Sequence, residues 1–296
     1  MMNKSFGEGK ERALVLGGGG IYFASWMLGY FHSLTAGGVD LELSDVIVGT
    51  SAGSFVGSSI AGGHLARLTR EFDFLGKIPE LMATLLPSEE RSPSQQRALE
   101  ILKQAEKADP ETLREIGRAA MASHNSGMGK LQRVIGLMTG NQRWPSPKFH
   151  ATGIDCYSGE RVTISEPDDI SIASAVSASM SLPGSIGPTW LKDQLCMDGG
   201  ICGTSTHCDL VAGAKRALVL SLSDGNPGGP RLSSLPNSLQ QEISDLEAGG
   251  TQTFLVVANP KPDTNLLSPL EMLPAMKSGA AKGKADLAKV KKFWMD

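Results

Sequence analysis

The stretch Val46-Ile47-Val48-Gly49-Thr50-Ser51-Ala52-Gly53-Ser54-Phe55-Val56-Gly57 constrains this chain more than any other. Its apolar run predicts a buried strand, its glycines a tight turn, and the small residues that follow a helix. Gly49 and Gly53 flank Ser51 at a spacing of two on either side, the G-x-S-x-G pattern of a nucleophile elbow. On so sharp a turn, a side chain two residues before or after the serine would collide with neighbouring backbone. A helix starting just behind the serine offers unpaired N–H groups and the positive end of its dipole to a developing oxyanion. The pattern alone is weak evidence, because 35 of the 296 residues are glycine. Its surroundings decide what it means.

A second glycine cluster precedes it. Ala13 to Leu16 is an apolar run stopped by Gly17-Gly18-Gly19-Gly20, and Ile21, Ala24, Leu28 and Phe31 then recur at helical spacing. Such a loop presents N–H groups to an anion: a dinucleotide phosphate, a nucleotide triphosphate or an acyl-transfer oxyanion. The dinucleotide fingerprint needs a further glycine where Tyr22 or Phe23 stands, and the P-loop lysine is missing. The oxyanion reading survives, alongside a plain loop that binds nothing. Two strand-loop-helix units in succession predict a parallel sheet, with catalytic groups gathered at the carboxyl ends of its strands.

Length and 41% hydrophobic residues fit one α/β domain spanning 1–296. A net charge of -3 leaves no electrostatic footprint for nucleic acid. The cysteines, Cys156, Cys196, Cys202 and Cys208, are too few for a disulfide scaffold. They include no C-x-x-C pair, so ordinary thiols fit better than a metal site with His207. The uncharged run from Ala13 to Phe31 is long enough to raise a membrane span, but four glycines interrupt it at about 1 kcal/mol each, and Glu8 and Glu11 spoil a basic leader. A cytoplasmic protein is expected.

The remaining organisation follows from punctuation. Residues 1–11 read as a loose leader. The region 72–140, broken by Pro79, Pro87 and Pro93 and carrying a helix start at Asp109-Pro110, reads as a helical insertion or cap over the site. Its leucines and methionines could line an acyl-chain groove, although core packing explains most of them. Lys148 to Ile164 reads as two extended segments around Ser158-Gly159, and Ile172 to Met180 as a helix. The runs 194–197, 217–222 and 253–258 read as strands, and 224–236 as a loop. A lysine-rich helix over 276–296 presents either a solvated face, the better reading, or a peripheral contact with anionic lipid.

A serine nucleophile needs a base. His32, His64, His124, His150 and His207 are available, and the later two stay open, but none sits in a glycine-rich strand end. Asp198 does: it closes an apolar run and precedes Gly199 and Gly200, which let backbone or substrate approach its carboxylate. Alone this is an Asp-Gly turn. Beside a serine, burial raises the carboxylate's proton affinity and makes a Ser51–Asp198 dyad chemically sufficient.

Taken in order, Gly17 to Gly20, Gly49-Thr50-Ser51-Ala52-Gly53 and Asp198-Gly199-Gly200 resemble the patatin-like phospholipase family of lipid acyl hydrolases. Ala151 to Asp155 and Ala173 to Pro183 look like the family's strand and its helix-to-proline segment, so the likeness runs from about Arg12 to Leu222. The resemblance implies a three-layer α/β/α sandwich with a mainly parallel sheet, related to cytosolic phospholipase A2, and hydrolysis of lipid esters without metal or cofactor. It makes Ser51 the nucleophile, Asp198 the base, and the loop at Gly18, Gly19 and Gly20 the oxyanion hole. This chain departs from the family at Tyr22 and Phe23, where a cation and then a glycine are usual, which bears on rate and head-group preference. Acyl transfer to an alcohol, and lipid binding without catalysis, are the competing expectations.

Overall fold

The computed structural model describes residues 5–86, 90–123, 128–139, 143–166, 169–223, 232–233 and 235–296. The first four residues of the expected leader, Pro87, His124, Gly140 and positions 224–231 and 234 of the expected loop lie outside the described residues.

Strand β1 (Arg12–Leu16) runs through the glycine loop into helix α1 (Gly20–Ala36), and β2 (Val46–Gly49) runs through the elbow into α2 (Ala52–Ala61). Helices α3 (Leu65–Gly76), α4 (Pro79–Leu85), α5 (Pro93–Gln104), α6 (Pro110–Ala122) and α7 (Met128–Thr139) follow. The chain returns through β3 (Phe149–Asp155), β4 (Arg161–Ile164), α8 (Ile172–Ser179), β5 (Thr189–Leu191) and β6 (Gln194–Asp198). It closes with β7 (Arg216–Ser221), α9 (Leu239–Ala248), β8 (Gln252–Val257) and α10 (Met272–Met295). The sheet order is β5-β6-β3-β2-β1-β7-β8, with β4 also paired to β3. Pairing is parallel from β3 across to β8 and antiparallel among β3, β4, β5 and β6.

Successive strand residues serve opposite faces. Leu14, Leu16, Ile47, Leu218 and Leu220 join the core that holds α1, α2 and α10, whereas Ala13, Val15, Val46, Val48 and Val219 join the one that holds Leu239, Ile243 and Leu246 of α9. Both faces are covered, so the architecture is the three-layer α/β/α sandwich. Double burial also explains why these strands read as unbroken apolar runs.

Three observations differ from the sequence reading. The expected loose leader is tied down over its described part: Phe6 N–H donates to Leu210 O at 2.8 Å, and the Phe6 ring stacks on His150 at 3.8 Å. The helical region begins at Leu65 rather than near Phe72. The terminal helix begins at Met272, and its buried side, including Met276, Val290 and Trp294, packs in the same core as α1, leaving its lysines to solvent. Among the described residues no helix is long and apolar enough to cross a membrane.

Candidate active site

Chain order on the sheet brings the site together. The glycine loop leaves the carboxyl end of β1 and the elbow that of β2, which are paired with Leu16 beside Gly49. Asp198 ends β6 opposite Gly153, two residues beyond the pairing of Ala151 with Gly49. A hydrogen bond of 2.7 Å between Thr50 Oγ1 and Thr152 Oγ1 ties the ends of β2 and β3.

Ser51 sits at the head of α2 with φ 51° and ψ -118°, a strained conformation for a residue with a side chain. The flanking glycines make the turn feasible. A Cβ at Gly49 would lie 2.6 Å from the Gly53 oxygen, and one at Gly53 would fall inside the carbonyl group of Leu16. The Ser51 N–H donates to Ser179 Oγ at 2.8 Å, so α8 also holds the elbow. Ser179 closes the small-residue helix α8, within the segment that contributes to the resemblance.

The Ser51 hydroxyl donates to Asp198 Oδ2 at 2.8 Å, and Gly200 N–H donates to Asp198 Oδ1 at the same distance. Asp198 is 4% exposed. Burial pushes its carboxyl up to about 6, against the lowering effect of the Gly200 and Ser51 hydrogen bonds. Gly199 packs against the backbone of Thr152, where a side chain would clash.

No histidine reaches Ser51 among the described residues. His32 is exposed, His64 precedes α3, and His150 bonds Ser165 and stacks on Phe6. His207 is fully buried, with its Nε2 2.9 Å from the Gly199 carbonyl oxygen. Cys202 lies beside it, whereas Cys156 and Cys196 belong to buried cores near β3 and β6.

The glycine loop has its own division of labour. Gly17 N–H donates to Leu220 O at 2.9 Å and Gly18 N–H to Ser205 O at 3.3 Å. The N–H groups of Gly19 and Gly20, at the start of α1, have no acceptor among the described residues. Gly18 lies close to Ser51, since a Cβ there would be 3.3 Å from Ser51 Cβ. Tyr22 and Phe23 are buried in the core of α1 and contribute no charge to the loop.

Two cavities meet at the dyad. The larger, about 600 Å³, is bordered by Ser51 and Asp198 and lined by Phe55, Met82, Leu131 and Ile135 among other apolar side chains. Its size is that of a small-molecule pocket. Arg91 is the one lysine or arginine among its described lining residues. The smaller, about 100 Å³, is bordered by the same pair and by the hydroxyl-bearing Thr204, Ser205, Ser221 and Ser223. Helices α4 and α7 thus supply part of an apolar cavity wall, which their leucine and methionine content did not distinguish from ordinary core.

The family described as Patatin-like phospholipase matches residues 14–206, more than half of the chain and inclusive of Ser51 and Asp198. The chain belongs to the patatin-like phospholipase family. Curated proteins give no match. Among solved structures, this patatin-like chain is similar to VipD from Legionella pneumophila, with TM-score 0.45 and 16% identity over 95% of this chain and 67% of that one. It is also similar to ExoU in its complex with SpcU from the type III secretion system of Pseudomonas aeruginosa, with TM-score 0.45 and 16% identity. That match covers 98% of this chain and 53% of the other, so the chain spans about half of the ExoU length.

Proposed function

We propose that this chain is a serine lipid acyl hydrolase that cleaves carboxylic esters through an acyl-Ser51 intermediate. The observation that carries the reading is the 2.8 Å hydrogen bond from Ser51 to the buried Asp198 at the border of an apolar cavity of about 600 Å³. Asp198 accepts the Ser51 proton as Oγ attacks the ester carbonyl. The N–H groups of Gly19 and Gly20, without an acceptor among the described residues, receive the oxyanion; that of Gly18 already serves Ser205. Protonated Asp198 then returns its proton to the departing alcohol, which leaves through the hydroxyl-lined cavity. Water enters by the same side and attacks the acyl-enzyme, with Asp198 again the base.

The acyl chain occupies the apolar cavity. A carboxylate with its proton affinity raised to about 6 is a better base than a free aspartate and is still ionised at neutral pH. The reading is tested by turnover of a soluble medium-chain p-nitrophenyl ester. Ser51→Ala and Asp198→Asn should each lose about three orders of magnitude or more in kcat, by analogy with serine triads. Unchanged turnover in Ser51→Ala contradicts it. Added glycerol separates hydrolysis from acyl transfer, because a transferase would form an acylglycerol.

A further inference from the structure

His207 is the one fully buried histidine among the described residues, and the reaction proposed above does not use it. Its backbone is left-handed, with φ 52° and ψ 48°, which histidine adopts more readily than most side-chain-bearing residues. Both ring nitrogens have partners. Arg161 Nη1 lies 3.2 Å from His207 Nδ1, and the Gly199 carbonyl oxygen lies 2.9 Å from His207 Nε2. The guanidinium can only donate and the carbonyl can only accept. Those partners suit the tautomer that accepts at Nδ1 and donates from Nε2. Burial lowers the ring's proton affinity, but the neighbouring Cys202 outweighs it and holds the imidazole above the ordinary histidine value.

Arg161 is held in turn. Its Nη1 and Nη2 donate to the two oxygens of Asp209 at 2.7 Å and 2.6 Å. Nη1 carries two hydrogens, one for Asp209 and one for His207, so both of its donors are spent while the fork onto Asp209 fixes the plane of the guanidinium.

The Gly199 carbonyl and the Gly200 N–H belong to one planar peptide group. That group stands between two glycines, which by themselves leave it free to rotate. Fixing its oxygen fixes the direction of its hydrogen, and a carbonyl that accepts a bond makes the N–H of the same amide a stronger donor. The hydrogen points at Asp198 Oδ1, 2.8 Å from the nitrogen. We propose that Arg161 and His207 form a positioning relay that locks the Gly199–Gly200 peptide, aiming its N–H at one oxygen of Asp198 and leaving the other to Ser51. Neither residue touches substrate; both act through that peptide.

The titratable and charged groups around this device are few among the described residues. His207 and Cys202 flank the Gly199 carbonyl, with Cys202 Sγ donating to it at 3.5 Å. Arg161 and Asp209 lie outside the ring. Glu242 of α9 is engaged with Thr206, Ser238 and the Cys208 N–H. The Gly200 hydrogen bond favours ionised Asp198, so loosening the relay lets Asp198 hold its proton to higher pH.

The test is an NMR titration of the Asp198 carboxyl carbon in protein labelled at aspartate, with the signal assigned through Asp198→Asn. His207→Leu should move the midpoint upward by about one pH unit, the effect of weakening a charge-assisted bond. His207→Gln, whose amide can both donate and accept, should return the midpoint to that of the parent. Arg161→Met should move it in the same direction by less. The acidic limb of kcat/KM should follow each midpoint, a response that mere loss of packing does not produce. A parent midpoint in folded His207→Leu overturns the relay. Where that variant does not fold, a parent midpoint in Arg161→Met overturns it. The relay rests on Asp198 as the base, but the titration reads the resting protein, so the two readings fail separately. A shifted midpoint in a protein without esterase activity sinks the hydrolase and keeps the relay; an active enzyme with an unmoved midpoint does the reverse.

Discussion

Ser51 and Asp198, 147 positions apart in the chain, are joined by a single hydrogen bond of 2.8 Å between the head of α2 and the end of β6. No imidazole stands between them among the described residues, so the proton has one place to go.

That arrangement sets the pH dependence. Burial raises the Asp198 carboxyl to about 6, and only its ionised form accepts the Ser51 proton. The profile of kcat/KM on a soluble ester should be flat above neutrality and fall about tenfold per pH unit below about 6. An acidic limb near the ordinary aspartate value would show that Asp198 is not the group that titrates.

The same shift has a sign for stability. Because the folded carboxyl is raised above its unfolded value, keeping it ionised costs stability above about pH 6, and the cost fades as pH falls toward 4. Asp198→Asn should therefore stabilise the fold by about 3 kcal/mol at pH 8 and by little near pH 4. Urea unfolding at the two pH values checks this; an equal gain at both would point to packing instead.

Gly53 faces the carbonyl of Leu16 with no room for a methyl group. Gly53→Ala should cost about 3 kcal/mol or more, because backbone on β1 or α2 must move. It should abolish activity by tilting the elbow. Gly57→Ala is the milder comparison, since a Cβ there meets side chains of Ile47 and Phe149 at 3.2 Å. Melting temperatures of the two variants should separate clearly.

The apolar cavity predicts chain-length selectivity. Each methylene buried there contributes about 0.8 kcal/mol, so kcat/KM should rise about fourfold per added carbon until the cavity is full. Met82→Trp, which fills part of the wall, should shift the preferred chain downward while sparing short esters. A flat series in the parent would place the acyl chain elsewhere.

The two strand-loop-helix units and Asp198 were legible because glycines at 17–20, 49, 53, 199 and 200 mark places where neighbouring atoms crowd the backbone, leaving no room for a side chain at 49, 53 and 199 and little at 17, 18 and 200. The short β5 was missed, as three residues carry too little pattern. Helix α9 was missed for another reason: between an expected loop and a strand, its few apolar positions made a faint stripe. The surroundings of His207 could not be read because it stands in a left-handed turn with partners at the start of β4 and just past β6 that no spacing encodes. The cavity-lining residues of α4 and α7 carry the composition of a core, and only the fold shows which of them face a void.

The most direct test of the dyad is the intact mass of the protein after exposure to a fluorophosphonate, with Ser51→Ala and Asp198→Asn alongside. An activated serine predicts one adduct on the parent, none on Ser51→Ala, and labelling slowed by orders of magnitude on Asp198→Asn. No adduct on the parent, or an adduct that persists without Ser51, would contradict the account.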